Sequence, residues 1–469
     1  LKIDRFNMGC RFEKYLLTRD ENVLAEMKSL MRGWSHGYME YALDFAGAGL
    51  YDEAIELLQA YLSGAHDVYP MIYCALGYYY SLKGDKENSL KYYKKLEEAN
   101  PDRCFPNRIE EVNMLQDAIN NNPQGAKANY YLGNFWYAMR QYDNAIACWE
   151  ESVKLDDKYP TVWRNLSLAY YNKLNDKSLA LKAIEKAFAL DETDARILME
   201  LDQLYKKLGR DHAGRLALLE KYIDLTDSRD DLSIERITLY NQLGRYEEAR
   251  KLIAARKFHP WEGGEGKITG QYVLCRIELA KIAIKEGRFA DALSLLKETE
   301  SYPHNLGEGK LAGAEENDIH YYMGVAYRGL GQEKDAVECF KKATEGSAEA
   351  KQAFFYNDQQ PDKIFYQGLA WRALGCEDRA RSRFNNLIKN GEKHLFDKCR
   401  IDYFAVSLPD LAIWDDDLNK RNKIYCNYVM GLGFLGLNDL TKATEFLREV
   451  KNLDVNHQGG QIHLNLCEL

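Results

Sequence analysis

The chain has 469 residues and a mass of 54.2 kDa, enough for about three ordinary domains or one long repeat array. With 46% apolar and 29% charged residues it can bury a large core, which excludes a disordered tail. A formal net charge of −9 argues against a nucleic-acid backbone as main partner, because phosphate binding needs clustered Lys and Arg. Only 9 prolines stand against 33 tyrosines, and with abundant Leu and Ala this points to an all-helical protein.

In chain order, Leu1-Lys2-Ile3-Asp4 reads like Val153-Lys154-Leu155-Asp156, a helix end, so the first residues are expected to close a helix that begins upstream of Leu1. Ala42, Phe45, Gly49, Ala54 and Leu58 then set a pattern that recurs. Numbered from the start of its unit, a full hairpin carries a small residue at offset 8, a large one at 11, a turn residue at 15, a small one at 20 and a large one at 24. Small residues let two antiparallel helices approach, and large ones fill the space between hairpins. Glycine at offset 15 supports the tight turn after the first helix.

Gly77, Tyr80, Gly84, Ser89 and Tyr93 repeat the pattern. An added helix is predicted over 107–120, between Pro106 and Pro123, because Ile109, Val112, Leu115 and Ile119 follow helical period. Gly133, Trp136, Ala145 and Trp149 come next, then Ser167, Tyr170, Ala180, Ile184 and Ala187 with one extra turn residue. A degenerate hairpin is expected around 201–218. Tyr240, Gly244, Ala249 and Ile253 form a clear unit, as do Ala280, Gly287, Ala292 and Leu296. The fullest match is Gly324, Tyr327, Gly331, Ala336, Phe340 and Ala343, followed by Gly368, Trp371, Gly375, Ala380 and Phe384, and by Gly431, Phe434, Ala443 and Leu447. That makes ten hairpins.

These offsets resemble the tetratricopeptide repeat (TPR) family, whose unit is about 34 residues. The resemblance implies an all-α fold: a right-handed TPR superhelix, or α-solenoid, of about ten helical hairpins with a concave inner face. Irregular inserts fall in the C-terminal half. Offset 8 falls at 42, 77, 133, 167, 202, 237, 280, 324, 368 and 431, so the steps are 35, 56, 34, 35, 35, 43, 44, 44 and 63. On spacing, the array reads as N-terminal hairpins plus an extra helix over 1–125, a regular array over 126–257, and an array with long inserts over 258–469, in one continuous solenoid.

Inserts between one hairpin and the next share an edge of a solenoid, so those at 258–270, 301–313 and 390–423 are expected to form one composite surface. Two of them match: Gly264-Glu265-Gly266-Lys267 returns as Gly307-Glu308-Gly309-Lys310. A glycine turn leading into a helix can offer N–H groups to an anion, but the Ser or Thr of a phosphate-binding loop is missing. Trp261, Glu265, Lys267, Glu308 and Lys310 are the candidate insert surface.

The candidate groove for a protein or peptide comes from offsets 2, 5, 9 and 12 of each first helix. It includes Lys127, Tyr130, Asn134, Tyr137, Arg164, Tyr171 and Arg196, where aromatics interleave with amides and arginines. Asn134, Asn165 and Arg196 sit at offsets resembling the carboxylate clamp of co-chaperone TPRs. Tyr130 and Glu200 depart from it, and Glu200 would repel a carboxylate.

Ten scattered cysteines form no CxxC pair and no zinc spacing with His, which favours core packing in a reducing, cytoplasmic setting. Asp415-Asp416-Asp417 lacks the glycine and closing Glu of a calcium loop, so a helix start is expected there. His457 and His463 flank a Gly-Gly pair without a Cys or carboxylate partner at useful spacing. No catalytic residue, metal site or cofactor is predicted, and no membrane span, because no run of about 18 apolar residues occurs.

Several stretches are more specific: FPNRIEEVNMLQDAI, NYYLGNFWY, HPWEGGEGKITGQY, NLGEGKLAGAEEND, DYFAVSLPDLAIWDDDLNKRN and VMGLGFLGL. Together they resemble the C-terminal TPR region of large bacterial proteins whose N-terminal domain, of unknown function, is similar to sugar mutarotases. The resemblance implies a carbohydrate-related parent protein. Three functions stay open at this point: a non-catalytic scaffold for protein or interdomain docking, an accessory module shaping a carbohydrate-active site on another domain, and a peptide-binding co-chaperone-like module.

Overall fold

The alternation of small and large residues becomes a series of antiparallel helical hairpins. The computed structural model describes residues 1–261, 263–351, 359–399 and 413–468, and all regular structure among them is helical. The chain divides into two compact units, Leu1–Asp191 and Glu192–Leu469.

In the first unit, α1 (Met8–Thr18) pairs with α2 (Glu21–Met31), α3 (Ser35–Gly47) with α4 (Tyr51–Leu62), and α5 (Pro70–Leu82) with α6 (Lys86–Glu98). The single helix α7 (Ile109–Asn121) follows, then α8 (Lys127–Ala138) with α9 (Tyr142–Leu155) and α10 (Pro160–Asn172) with α11 (Lys177–Leu190). The second unit pairs α12 (Ala195–Lys207) with α13 (His212–Lys221), adds the short α14 (Ile223–Ser228), and continues with α15 (Asp230–Gln242) and α16 (Tyr246–Ala255). Next come α17 (Lys267–Lys285) with α18 (Phe289–Lys297), α19 (Asn317–Gly329) with α20 (Glu333–Ala343), α21 (Pro361–Ala373) with α22 (Glu377–His394), and α23 (Leu418–Gly436) with α24 (Leu440–Leu453). The last helix is α25 (Gln458–Cys467).

One contact explains most of these hairpins. A Cβ added to Gly133 would lie 2.5 Å from the Trp149 ring, one on Gly324 2.6 Å from Phe340, and one on Gly431 2.7 Å from Leu447. In each case the bulky residue follows the glycine by sixteen positions and is buried. Burying such a side chain contributes about 2–3 kcal/mol, and only a missing side chain opposite lets it reach the partner helix. The turns obey the same economy of space. Gly331 adopts φ 74°, and the Gln332 N–H donates to the Tyr327 carbonyl at 2.9 Å, closing the first helix. Arg140 takes the same turn at φ 60° without glycine's freedom, a conformation that costs an L-residue about 1–2 kcal/mol.

The degenerate hairpin departs from this scheme. Its offset 8 is Asp202, not a small residue, and the space is taken by the Arg215 guanidinium of α13. Arg215 Nε and Nη2 donate to the two Asp202 carboxylate oxygens at 3.0 and 2.7 Å, and Nη2 also donates to Glu235 Oε1 of α15 at 2.7 Å. Lys206 Nζ reaches Glu235 at 3.0 Å, so two acids face two bases in the interior.

Two differences from the sequence expectations stand out. The hairpin of α1 and α2 adds to the ten, and carries no small-and-large signature; its turn uses Arg19 at φ 52° and Asp20, whose carboxylate accepts from the Asn22 N–H. Leu1–Asp4 lie outside any helix. The boundary after Asp191 follows contacts, whereas the divisions after 125 and 257 follow spacing. The helix over 107–120 forms as α7, and Asp417 caps α23 by accepting from the Asn419 and Lys420 N–H groups, both at 3.0 Å. All ten cysteines are free thiols. Among the described residues no helix is long and apolar enough to cross a membrane.

Candidate functional site

Three surfaces carry the predicted residues: the inner face of the first unit, the insert edge of the second, and the inner face of the second.

On the first, α8 and α10 bring an amide row together. Arg164 Nη1 donates to Asn165 Oδ1 at 3.3 Å, and Asn165 Nδ2 donates to Asn134 Oδ1 at 3.3 Å. Asn134 Oδ1 also accepts from the indole N–H of Trp149 at 3.2 Å. The Asn134 Nδ2 group is buried, and its side chain acts on the Tyr130 phenol, lowering it against the larger effect of burial. Tyr137 flanks the row, its ring 5.1 Å from Tyr142 and 5.2 Å from Trp149. Tyr171 of α10 is half-buried on the same helix.

Two predicted groove residues do other work. Tyr130 is only 4% exposed, edge-on to Tyr159 at 5.1 Å, and burial raises its phenol above the usual range. Lys127 ties α8 to the preceding hairpin: its Nζ donates to the Ala99 carbonyl at 2.6 Å and its N–H to Glu97 Oε2 at 2.9 Å. Arg196 belongs to the second unit, where its Nε donates to Glu200 Oε1 at 3.1 Å. An arginine so neutralised is a poor carboxylate clamp.

The two glycine-rich inserts pack on each other. The Phe258 N–H donates to the Asn305 carbonyl at 2.7 Å, and the Gly266 N–H to Glu308 Oε2 at 2.9 Å. Glu265 turns back on its own loop, accepting from the Gly263 N–H at 2.8 Å. Lys267 Nζ lies 5.7 Å from the centre of the Trp261 ring, and burial lowers its pKa, with Lys206 adding to the effect. Lys310 Nζ donates to the Thr299 and Glu300 carbonyls at 3.2 and 3.1 Å and pairs with Glu316. The glycines and lysines therefore build the edge itself, and the N–H of Gly266 already has an anionic partner from the same chain. Of the insert at 390–423, residues 400–412 lie outside the described residues. Near its described end Trp414 is buried, and its indole N–H donates to the Glu200 carbonyl of α12 at 3.1 Å.

The inner face of the second unit is filled by the chain itself. Asn456 and α25 lie along it, and none of these residues was expected to matter. His457 caps α25 by accepting from the Gly460 N–H at 2.8 Å, and burial pushes its ring down to about 4. His463 Nδ1 is 2.8 Å from the Gly459 carbonyl, which can only accept, so Nδ1 carries the proton. Burial pushes the His463 ring down to about 3. The Gly-Gly pair was the one signal available: a Cβ on Gly459 would lie 2.8 Å from Tyr428 Cζ. Among the described residues no three His, Cys, Asp or Glu side chains are placed to hold a metal ion.

Family models described as tetratricopeptide repeat match residues 126–159, and residues 72–103 and 318–345. Such repeats are therefore present in both units. Solved structures of similar fold include YrrB, described as a TPR protein with an unusual peptide-binding site: 15% identity, TM-score 0.28, 49% of this chain and 89% of that one covered. MamA (residues 41 to the end) from Desulfovibrio magneticus RS-1 aligns at 18% identity with TM-score 0.25, covering 42% of this chain and 97% of its own. The Naa15/Naa10 complex bound to HypK-THB aligns at 13% identity with TM-score 0.37, covering 85% of this chain and 60% of that one.

Proposed function

We propose that the chain is a TPR scaffold that docks a protein segment on the inner face of its first unit and performs no chemistry of its own. One observation carries this reading: Arg164, Asn165 and Asn134 form a linked row of guanidinium and amide groups across α8 and α10, beside Tyr137 and Tyr171. Amide and guanidinium groups in such a row can exchange hydrogen bonds with the backbone of a bound segment. Tyr137 and Tyr171 supply large, rigid contact area beside it. The inner face of the second unit is already covered, so the first is the open candidate.

The test is a peptide-library selection against the full chain. Selected peptides should bind with micromolar affinity, and Asn134→Ala should weaken them about ten-fold, the equivalent of about 1.4 kcal/mol. Amidating the peptide C-terminus should change nothing, since Glu200 neutralises Arg196. Loss of binding on amidation would favour the co-chaperone-like reading, and unchanged binding by Asn134→Ala would overturn the assignment of this face.

The paired inserts support a second surface, for another domain of the same polypeptide or a separate protein. If that domain is carbohydrate-active, as the closer resemblance implies, Trp261→Ala and Glu265→Ala would lower the activity of the longer protein while the chain stays folded. A plain scaffold would keep its partner under the same changes.

A further inference from the structure

The segment from Asn456 into the last helix makes contacts with several hairpins of the second unit. Asn456 Nδ2 donates to the Lys206 carbonyl of α12 at 3.0 Å, Arg215 Nη1 of α13 donates to Asn456 Oδ1 at 3.2 Å, and Gln242 Nε2 of α15 donates to the Asn456 carbonyl at 2.7 Å. Gln458 and Gln271, just inside α17, exchange amide hydrogen bonds at 2.9 and 3.1 Å. His463 then packs against Phe365 and Tyr366 of α21 and Tyr428 of α23, with ring centres 5.4, 6.0 and 5.8 Å away. Phe365 and Tyr428 both occupy offset 5, a position that lines the groove in a TPR. A segment of eight residues, 456–463, thus touches the first helices α12, α15, α17, α21 and α23.

We propose that this inner face is a docking site for a short helix bearing amide and histidine side chains, that α25 fills it in cis as a displaceable strap, and that a partner helix of the same chemistry takes the site when α25 leaves.

Three observations support displacement over permanent packing. First, the part that meets α12, α15 and α17 is held by amide hydrogen bonds, while Leu464 and Cys467 lie half-buried against the cluster that contains Phe365, Tyr428 and Val450. Hydrogen bonds to amides exchange with water at a net value of about 1 kcal/mol each, whereas the hairpins are held by buried rings. Within α25 only Gly460 and His463 are buried. Second, α25 has 10 residues, too few to persist as a helix away from the face, so it is ordered by docking. Third, the fit is incomplete. Asn241 Oδ1 and Gln242 Oε1 on the floor, and His463 Nε2 on the strap, are buried without a partner. A competing helix with amide donors facing Asn241 and Gln242 would satisfy acceptors that α25 leaves empty. The site is independent of the face proposed for the first unit.

The test uses the full chain and a labelled synthetic peptide of residues 454–468 with serine in place of Cys467. Gly459→Arg puts bulk against Tyr428 and should release α25 without disturbing a hairpin. The peptide is then expected to bind the variant at least about ten-fold more tightly than the native chain, where the tethered strap competes at high effective concentration. Amide exchange of residues 458–467 should speed up while α17, α21 and α23 stay protected. Asn456→Ala with Gln458→Ala removes strap contacts without adding bulk and should act in the same direction. The proposal is overturned if α25 is released and the peptide binds no better than to the native chain, if α25 stays protected in both variants, or if releasing it unfolds the second unit, which would make α25 part of the core.

Discussion

His463 shows how one side chain links burial to pH. Its ring is buried among Phe365, Tyr366 and Tyr428, and is held neutral down to about 3 by that burial, with the charges of Lys281 and His457 acting in the same direction and Asp318 against it. In the unfolded chain the same ring takes a proton near the ordinary value of about 6.5. The unfolded state therefore binds more protons below that pH, and folded stability falls as pH drops from about 6.5 towards 3. Each pH unit in that window removes about 1.4 kcal/mol per histidine, and His457 adds to the loss. Denaturant unfolding of the second unit at pH 7, 6 and 5 should show a steeper decline in the native chain than in His463→Gln. Parallel declines would mean that the ring is solvated. At this scale the sequence was partly legible. Asp417 was readable as a helix start because capping is local. His463 was not, because its partners on α21 and α23 are 35 to 98 residues away in the chain.

At the scale of one hairpin, Asp202 and Arg215 replace the usual small-and-large contact by a buried ion pair. The pair and its neighbours balance: burial raises the Asp202 carboxyl, and the same burial is outweighed at Glu235 by Lys206 and Arg215, which hold it down. Asp202→Ala leaves Arg215 buried with half its partners and is expected to cost about 3–5 kcal/mol. The double change Asp202→Ala with Arg215→Leu restores an apolar contact of the kind seen at Gly324 and Phe340, and should recover most of that loss. Equilibrium unfolding of the three variants checks both statements; a double variant no better than the single one would mean that the network, and not the desolvated charge, carries the stability. The offset pattern marked this hairpin as degenerate but could not say why, because an aspartate at offset 8 has no meaning until Arg215 is seen opposite.

At the scale of the whole molecule, each hairpin packs chiefly on its neighbours within its own unit. Stability in such arrays is close to a sum of local terms. Gly133→Ala, whose Cβ would press on the Trp149 ring at 2.5 Å, should therefore destabilise the first unit by about 1–3 kcal/mol. Hydrogen exchange read by mass spectrometry should show faster opening in residues 126–159 and their neighbours, with peptides from 317–343 unchanged. Equal acceleration in both would show that the units unfold as one.

Small residues at offset 8, bulky ones sixteen positions later and turn residues between them placed the regular hairpins and the all-α class, and helical period between two prolines placed α7. Those contacts close over short stretches of chain, so their chemistry is written as a period. Which inner face stays open is written nowhere in that period. Trp414 reaches Glu200 across 214 residues and Asn456 reaches Lys206 across 250. Such contacts depend on how successive hairpins turn the chain back towards itself, a sum of small rotations that no single repeat records.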